Sequence, residues 1–517
     1  MKTKIPLVAL AAFAISFWTS SLIAQQKKLP DFIANKLDAY IQKGMKDWRI
    51  PGMAVAIVKD DKIVFMKGYG VKKLGAKNAN KNKVDENTLF MIGSNTKAFT
   101  ASLITILQAE KKLRLRDKVT KWMPGFRLKD PLATKELMIE DLLCHRIGFA
   151  TFQGDFVYWG SDLTRAEVIQ KMQLITPART FRRDWGYCNA AFVLAGELIP
   201  KVINKSWEAA VKEKILTPLN MNNTLMLGQD LQKANNKALP YTWANDQLQL
   251  LSINPINNLA PAGSMSSSVK DMTKWLRALI NTGKIDGKQV LPRWAIRAIC
   301  RPKSILGMDL RNKVNTHFYL YGLGLGINDR AGKLTFSHTG GVDGYVSSVM
   351  FVPEEKLGIV VLTNQDQHNF YNNLTDEIRD AFLGLPFQNH SNKSLKRFQR
   401  QQAKTKAKEK QWSEKIAQNN APSLPLKAFT GAYQHEVYGA ISLKLKKGKL
   451  QIRFSHHPKL IGHLEHIANN EFRCTFSDLA FGVEKTVFKI EEGKVNHLIL
   501  RVSDFIEVIP YKFVKNK

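Results

Sequence analysis

Two apolar hairpins stand at opposite ends of a long helical stretch, and they restrict this chain to few folds. Gly52-Met-Ala-Val-Ala-Ile-Val58 and Ile63-Val-Phe-Met66 flank a Lys59-Asp60-Asp61-Lys62 turn. Far downstream, Tyr345–Val352 and Leu357–Leu362 flank Pro353-Glu-Glu-Lys356. Short apolar runs bounded by turn residues mark strands buried on both faces. Ile33, Leu37, Ile41 and Met45 recur at helical spacing before the first hairpin, and a helix candidate, Leu374–Leu383, follows the second. Strands at both ends with helical sequence between them predict an antiparallel sheet assembled from the two termini, with a helical region inserted, in the α+β class. This unit is placed over residues 25–385.

Beyond residue 385 the texture of the chain changes. Residues 386–423 are poor in apolar side chains and rich in Lys and Arg, with Lys-Ser-Leu-Lys-Arg-Phe-Gln-Arg and Lys-Thr-Lys-Ala-Lys-Glu-Lys in sequence. They read as a basic linker or an exposed helical connector. From 424 to 517, alternating segments such as Ala440–Leu445, Lys449–Phe454 and Thr486–Ile490 recur between Gly or Asn turns. That pattern predicts a small all-β barrel or sandwich.

The N-terminus speaks to compartment. Lys2 and Lys4 precede an apolar run, Ile5 to Trp18, and small residues up to Ala24. This is the order of a secretory signal peptide over 1–24, cleaved after Ala24, and it predicts a secreted or periplasmic protein. Cys144, Cys188, Cys300 and Cys474 show no CxxC and no His at zinc-ligand spacing, so buried free thiols are expected and no metal site. The formal charge of +33 opens two roles, nucleic-acid binding and electrostatic retention on an anionic cell envelope. No nucleic-acid module is recognisable, so the first is not expected. Oligomeric state is left open.

Three short motifs carry chemistry. Gly93-Ser94-Asn95-Thr96-Lys97 opens a segment whose Phe99, Leu103 and Ile106/Leu107 sit at helical spacing, so Ser94 falls at a helix N-terminus and Lys97 one turn on, on the same face. A serine hydroxyl needs a base to take its proton. Lys97 is one such base if desolvation lowers its pKa; alternatively it stays charged and activates another. Tyr187-Cys188-Asn189 offers that other base, a phenol, with Asn189 to hold the lysine or a substrate amide. His338-Thr339-Gly340-Gly341 ends the strand-like Lys333–Ser337; such an edge offers a backbone N–H to an oxyanion, and His338 a group for a substrate carboxylate or proton transfer. Each motif has decoys: Ser267-Ser-Val-Lys270 repeats the first and Tyr371-Asn-Asn373 the second. Neither decoy keeps the order of the three.

In that order the motifs resemble the class C β-lactamases and their relatives, the penicillin-recognising DD-peptidases, D-amino-acid peptidases and carboxylesterases. Ile50-Pro-Gly-Met-Ala-Val-Ala56, Leu142-Leu-Cys-His-Arg-Ile-Gly148 and Ala262-Gly-Ser-Met-Ser266 extend the likeness. It implies a β-lactamase/transpeptidase-like fold and a hydrolase that needs no metal or cofactor, acting through an acyl-enzyme on a small-molecule or peptide substrate. A D-amino-acid peptide, cell-wall fragment or ester is the expected substrate, a β-lactam the alternative, and a silent penicillin- or peptidoglycan-binding protein the second alternative. The resemblance assigns Ser94 as nucleophile, Lys97 as its partner, Tyr187 as general base, and Asn189 as orienter of substrate and lysine. It makes the N–H groups of Ser94 and Gly341 the oxyanion hole, with Thr339 beside His338. His338 stands where class C β-lactamases typically carry Lys. Cys188 is read as an apolar spacer and His145 as structural.

Overall fold

The computed structural model describes residues 29–311 and 315–516, so the expected signal peptide, 1–24, lies outside the described residues. Eight strands form the main sheet: β1 (Gly52–Lys59), β2 (Lys62–Gly70), β3 (Ser304–Met308), β4 (Phe318–Tyr321), β5 (Gly326–Arg330), β6 (Lys333–Val342), β7 (Tyr345–Val352) and β8 (Leu357–Thr363). Their order is β2-β1-β8-β7-β6-β5-β4-β3, all antiparallel neighbours. The two hairpins therefore meet through the β1–β8 pair, Met53 opposite Thr363 and Lys59 opposite Leu357. Asp60 and Asp61 both take positive φ, the backbone that a tight hairpin with right-handed twist requires.

Alternation along β1 builds two cores from one strand. Met53, Val55 and Ile57 join Leu37, Ile41, Trp48, Phe370, Leu374 and Ile378 on one face. Ala54, Ala56 and Val58 join Phe99, Leu103, Met272, Trp275 and Leu276 on the other. The first face is covered by the helices Leu37–Trp48 and Phe370–Phe382, the second by the inserted helices, among them Thr96–Ala109 and Val269–Ile280.

Residues 390–417 form one 28-residue helix rather than an unstructured linker. Its polar length is anchored at both ends. Trp48 Nε1 donates to Ser391 Oγ (2.9 Å), Phe398 packs on Trp48, and Trp412 is buried. The C-terminal part is a closed eight-stranded barrel running from Gly431 to Lys515 in sequential up-and-down order, not a sandwich. Closure leaves no free sheet edge. Cys144, Cys188 and Cys474 are buried free thiols, and Cys300 is half-buried.

Candidate active site

Ser94 sits in a 3₁₀ turn, Gly93–Asn95, that runs straight into the helix Thr96–Ala109, and Lys97 occupies that helix's first turn. Lys97 is fully buried. Its Nζ lies 3.1 Å from Ser94 Oγ, 2.7 Å from Asn189 Oδ1 and 2.8 Å from the Ala262 carbonyl oxygen. Burial pulls the ammonium down to about 7, against the opposing charge of Asp155. A free amine has two N–H groups, and two of these neighbours accept only. The lone pair is then left for the Ser94 hydroxyl.

Asn189 begins the helix Asn189–Glu197. Its Nδ2 donates to Asp155 Oδ2 (2.6 Å), which turns Oδ1 toward Lys97. Asp155 Oδ1 is buried without a hydrogen-bond partner, and burial raises this carboxyl well above the usual range. Nothing in the local sequence, Gly154-Asp155-Phe156, marks Asp155 as part of the site. Tyr187 is pinned by its backbone, its carbonyl accepting from Phe152 N–H (2.8 Å) and its N–H donating to Thr151 Oγ1 (3.2 Å). Lys97 Nζ stands 4.7 Å from the centre of the Tyr187 ring. Burial raises the Tyr187 phenol well above its ordinary value, and its hydrogen bond with Ser94 opposes that. Cys188 is buried with its thiol pushed up to about 12 by desolvation, inert as a nucleophile.

The third motif continues the strand rather than ending it: β6 runs through to Val342. His338, Gly340 and Val342 face inward, whereas Thr339 is exposed. A hydrogen-bond line fixes the proton on each ring. Cys188 N–H donates to His145 Nδ1 (3.1 Å), so His145 carries its proton on Nε2, which faces the Tyr321 hydroxyl oxygen at 3.2 Å. Tyr321 O–H donates to His338 Nε2 (2.9 Å), and His338 Nδ1–H donates to the Thr339 carbonyl (2.5 Å). Burial, with the Lys97 charge, lowers His338 to about 3, so it is neutral. Both of its nitrogens are taken, which leaves none for a substrate carboxylate, one of the two roles the sequence offered it. His145, 4.3 Å ring to ring from Tyr187, ties this strand to the Tyr187 loop. The histidine in Leu142–Gly148 was its sequence signal, whereas Tyr321 had none.

Close approach of β6 to the Ser94 turn demands glycine. A methyl on Gly340 would fall 1.9 Å from the Ile92 carbonyl oxygen, and one on Gly93 2.7 Å from Gly341 N. Gly340→Ala is expected to push β6 off that turn, lowering stability by about 1–3 kcal/mol and the acylation rate on the order of 10²-fold. Thermal unfolding and single-turnover rates check both. An unchanged rate would show that the register of β6 against Ser94 does not matter.

A family model described as Beta-lactamase matches residues 37–382, and one described as Domain of unknown function (DUF3471) matches 416–511. The chain is 26% identical to the unguisins hydrolase ungD of Aspergillus violaceofuscus, over 86% of this chain and 84% of that protein. It is 26% identical to Protein flp of Staphylococcus aureus, over 64% of this chain and 62% of that protein. The octameric penicillin-binding protein homologue from Pyrococcus abyssi shares the fold with a TM-score of 0.59 at 22% identity, covering 93% of this chain and 99% of that one. The D-stereospecific amidohydrolase from Streptomyces sp. does so at 0.53 and 22%, covering 67% and 99%. The Beta-lactamase model spans the two-ended sheet and every helix inserted in it, and the chain belongs to that family.

Proposed function

We propose that this chain is an exported serine hydrolase that cleaves an amide or ester through an acyl-enzyme on Ser94. The observation that carries this reading is the buried Lys97 amine, lowered to about 7 and directed at Ser94 Oγ from 3.1 Å. Ser94 Oγ attacks the substrate carbonyl as its proton passes to Lys97 Nζ. Charge gathering on the carbonyl oxygen is met by the backbone N–H groups of Ser94 and Gly341. Tyr187, protonated at rest, hands a proton to the departing amine or alcohol and then takes one from the water that attacks the acyl-enzyme, and Lys97 returns its proton to Ser94 Oγ as the acyl group leaves. Asn189, held by Asp155, keeps Lys97 in place.

A D-amino-acid peptide, cell-wall fragment or ester is favoured over a β-lactam. Where class C β-lactamases typically carry Lys, a neutral His338 supplies no cation to a substrate carboxylate. The hydrolase name of one relative supports a hydrolase. The test is to treat the protein with a fluorophosphonate or a fluorescent penicillin and map the adduct by mass spectrometry, alongside a panel of D-amino-acid amides, esters and β-lactams. An adduct on Ser94 and turnover of a panel member are expected. Labelling elsewhere, or no turnover of any substrate, overturns the reading.

A further inference from the structure

The C-terminal barrel grips the short helix Asp155–Tyr158, the one that carries Asp155. Phe156 stacks on Tyr438 and His457 at ring-centroid distances of 5.0 and 5.6 Å and meets Tyr511 edge-on at 5.1 Å. Glu507 accepts the backbone N–H groups on either side of Asp155, from Gly154 (2.9 Å) and Phe156 (3.0 Å), and the Tyr511 hydroxyl (2.9 Å). Tyr438 O–H donates to His457 Nδ1 (2.7 Å), and His457 Nε2–H donates to the Trp159 carbonyl (2.9 Å). Burial lowers His457 to about 4, so it holds this pose as a neutral ring.

These anchors, with Val502 buried and Ser503 N–H donating to the Phe481 carbonyl (2.9 Å), fix the barrel segment between Val502 and Tyr511, and two residues before Glu507 stands Phe505. A methyl on Gly341 would lie 3.4 Å from Phe505 Cε2 and 3.7 Å from Cζ. Gly341 therefore meets the Phe505 ring on its Cβ side, while its backbone nitrogen lies against Gly93, the residue before Ser94. Trp159 meets that ring edge-on at 5.9 Å and is itself held by Asp343, whose Oδ1 accepts from Nε1 at 3.0 Å. Phe505 remains 39% exposed although its segment is anchored on both sides. An aromatic ring in fixed position, beside a residue without a side chain, offers an open apolar face to whatever lies over Gly341.

We propose that Phe505, delivered by the barrel, is a wall of the substrate site and selects substrates with an apolar, above all aromatic, group on the substituent lying over Gly341. This rests on Ser94 being the nucleophile. A flat ring there stacks on Phe505 and leaves water, whereas a methyl group covers little of it.

The test compares benzylboronic and methylboronic acids, which add to a serine oxygen, on the full-length protein by calorimetry, with the adduct mapped by mass spectrometry. Wild type is expected to prefer the benzyl probe, and Phe505→Ala to reduce the benzyl-to-methyl affinity ratio by about tenfold. Phe505→Leu should fall between them. Val508→Ala, exposed on the same segment, should leave the ratio unchanged. An unchanged ratio in Phe505→Ala overturns the proposal, as does an equal fall in Val508→Ala, which would mean a disturbed loop rather than a lost ring. A Ser94 adduct with an unchanged ratio overturns the wall alone. No Ser94 adduct with either probe overturns the nucleophile assignment and the wall with it.

Discussion

Replacing Ser94 by alanine should abolish turnover, by a factor on the order of 10⁵ to 10⁶, and leave the fold standing. The loss is large because Lys97, Tyr187 and the oxyanion N–H groups serve the oxygen that is removed, and groups acting as one unit lose together. Some rate above that in water should survive from backbone N–H groups and binding alone. The fold survives for a structural reason. Ser94 is half-buried, and its oxygen is one of three partners of Lys97 Nζ; Asn189 Oδ1 and the Ala262 carbonyl remain. Losing one such bond costs about 1 kcal/mol. The check is turnover on the best panel substrate beside thermal unfolding of both proteins. Activity within about tenfold of wild type would remove Ser94 from the chemistry. A collapsed unfolding transition would make the loss uninformative about catalysis and would contradict the packing around Lys97.

The parts of this molecule that are readable in the sequence are those written in periodicity or in short motifs. Gly52–Val58 and Leu357–Leu362 are apolar at nearly every position because both of their faces are covered, and that burial fixes them as central strands. Ser94 and Lys97 are readable because three residues of helix bring them together. The basic segment 386–423 is ambiguous because its apolar contacts are few and widely spaced: Phe398 at one end, Trp412 at the other. Tertiary anchoring, not an apolar stripe, makes it part of the fold. His338-Thr339-Gly340-Gly341 looks like the end of a strand because glycine ordinarily weakens strands. Here the Ile92 carbonyl occupies the space of the side chain missing at Gly340. Asp155, Tyr321, Phe505 and Glu507 are invisible for a different reason. Each reaches the site from a distant part of the chain, and a single buried carboxyl or exposed ring leaves no local pattern. The two motif decoys show the converse. Ser267 Oγ is bonded to Thr224 Oγ1 at 2.8 Å and Asn373 lies within the helix Phe370–Phe382, so both are spent on structure.

Lys97→Met should cost at least about 10⁴-fold in acylation and erase a pH dependence centred near 7, whereas Tyr187→Phe should cost about 10²- to 10⁴-fold and keep it. The two residues differ in which proton form is present at rest. Burial lowers Lys97 to about 7, so below that pH the amine is protonated and has no lone pair for Ser94; the acylation rate should fall tenfold per unit as pH drops. Burial moves Tyr187 the other way, so it stays a phenol across the working range and donates before it accepts. Loss of the low-pH limb in Tyr187→Phe, with the limb intact in Lys97→Met, would exchange the two roles. The same lysine gives a second, catalysis-free readout. Between about 7 and 10.5 the unfolded chain holds a proton that folded Lys97 has released, so the protein gains stability as pH rises through that window. From this group alone the slope is at most about 1.4 kcal/mol per pH unit. Below 7 both states are protonated and the slope from Lys97 vanishes. Lys97→Met should flatten this rise in denaturant titrations, while Ser94→Ala should retain it. A mutant that lost the rate but kept the wild-type stability profile would mean that Lys97 is charged in the folded protein at neutral pH. The proton of Ser94 would then have to leave by way of Tyr187.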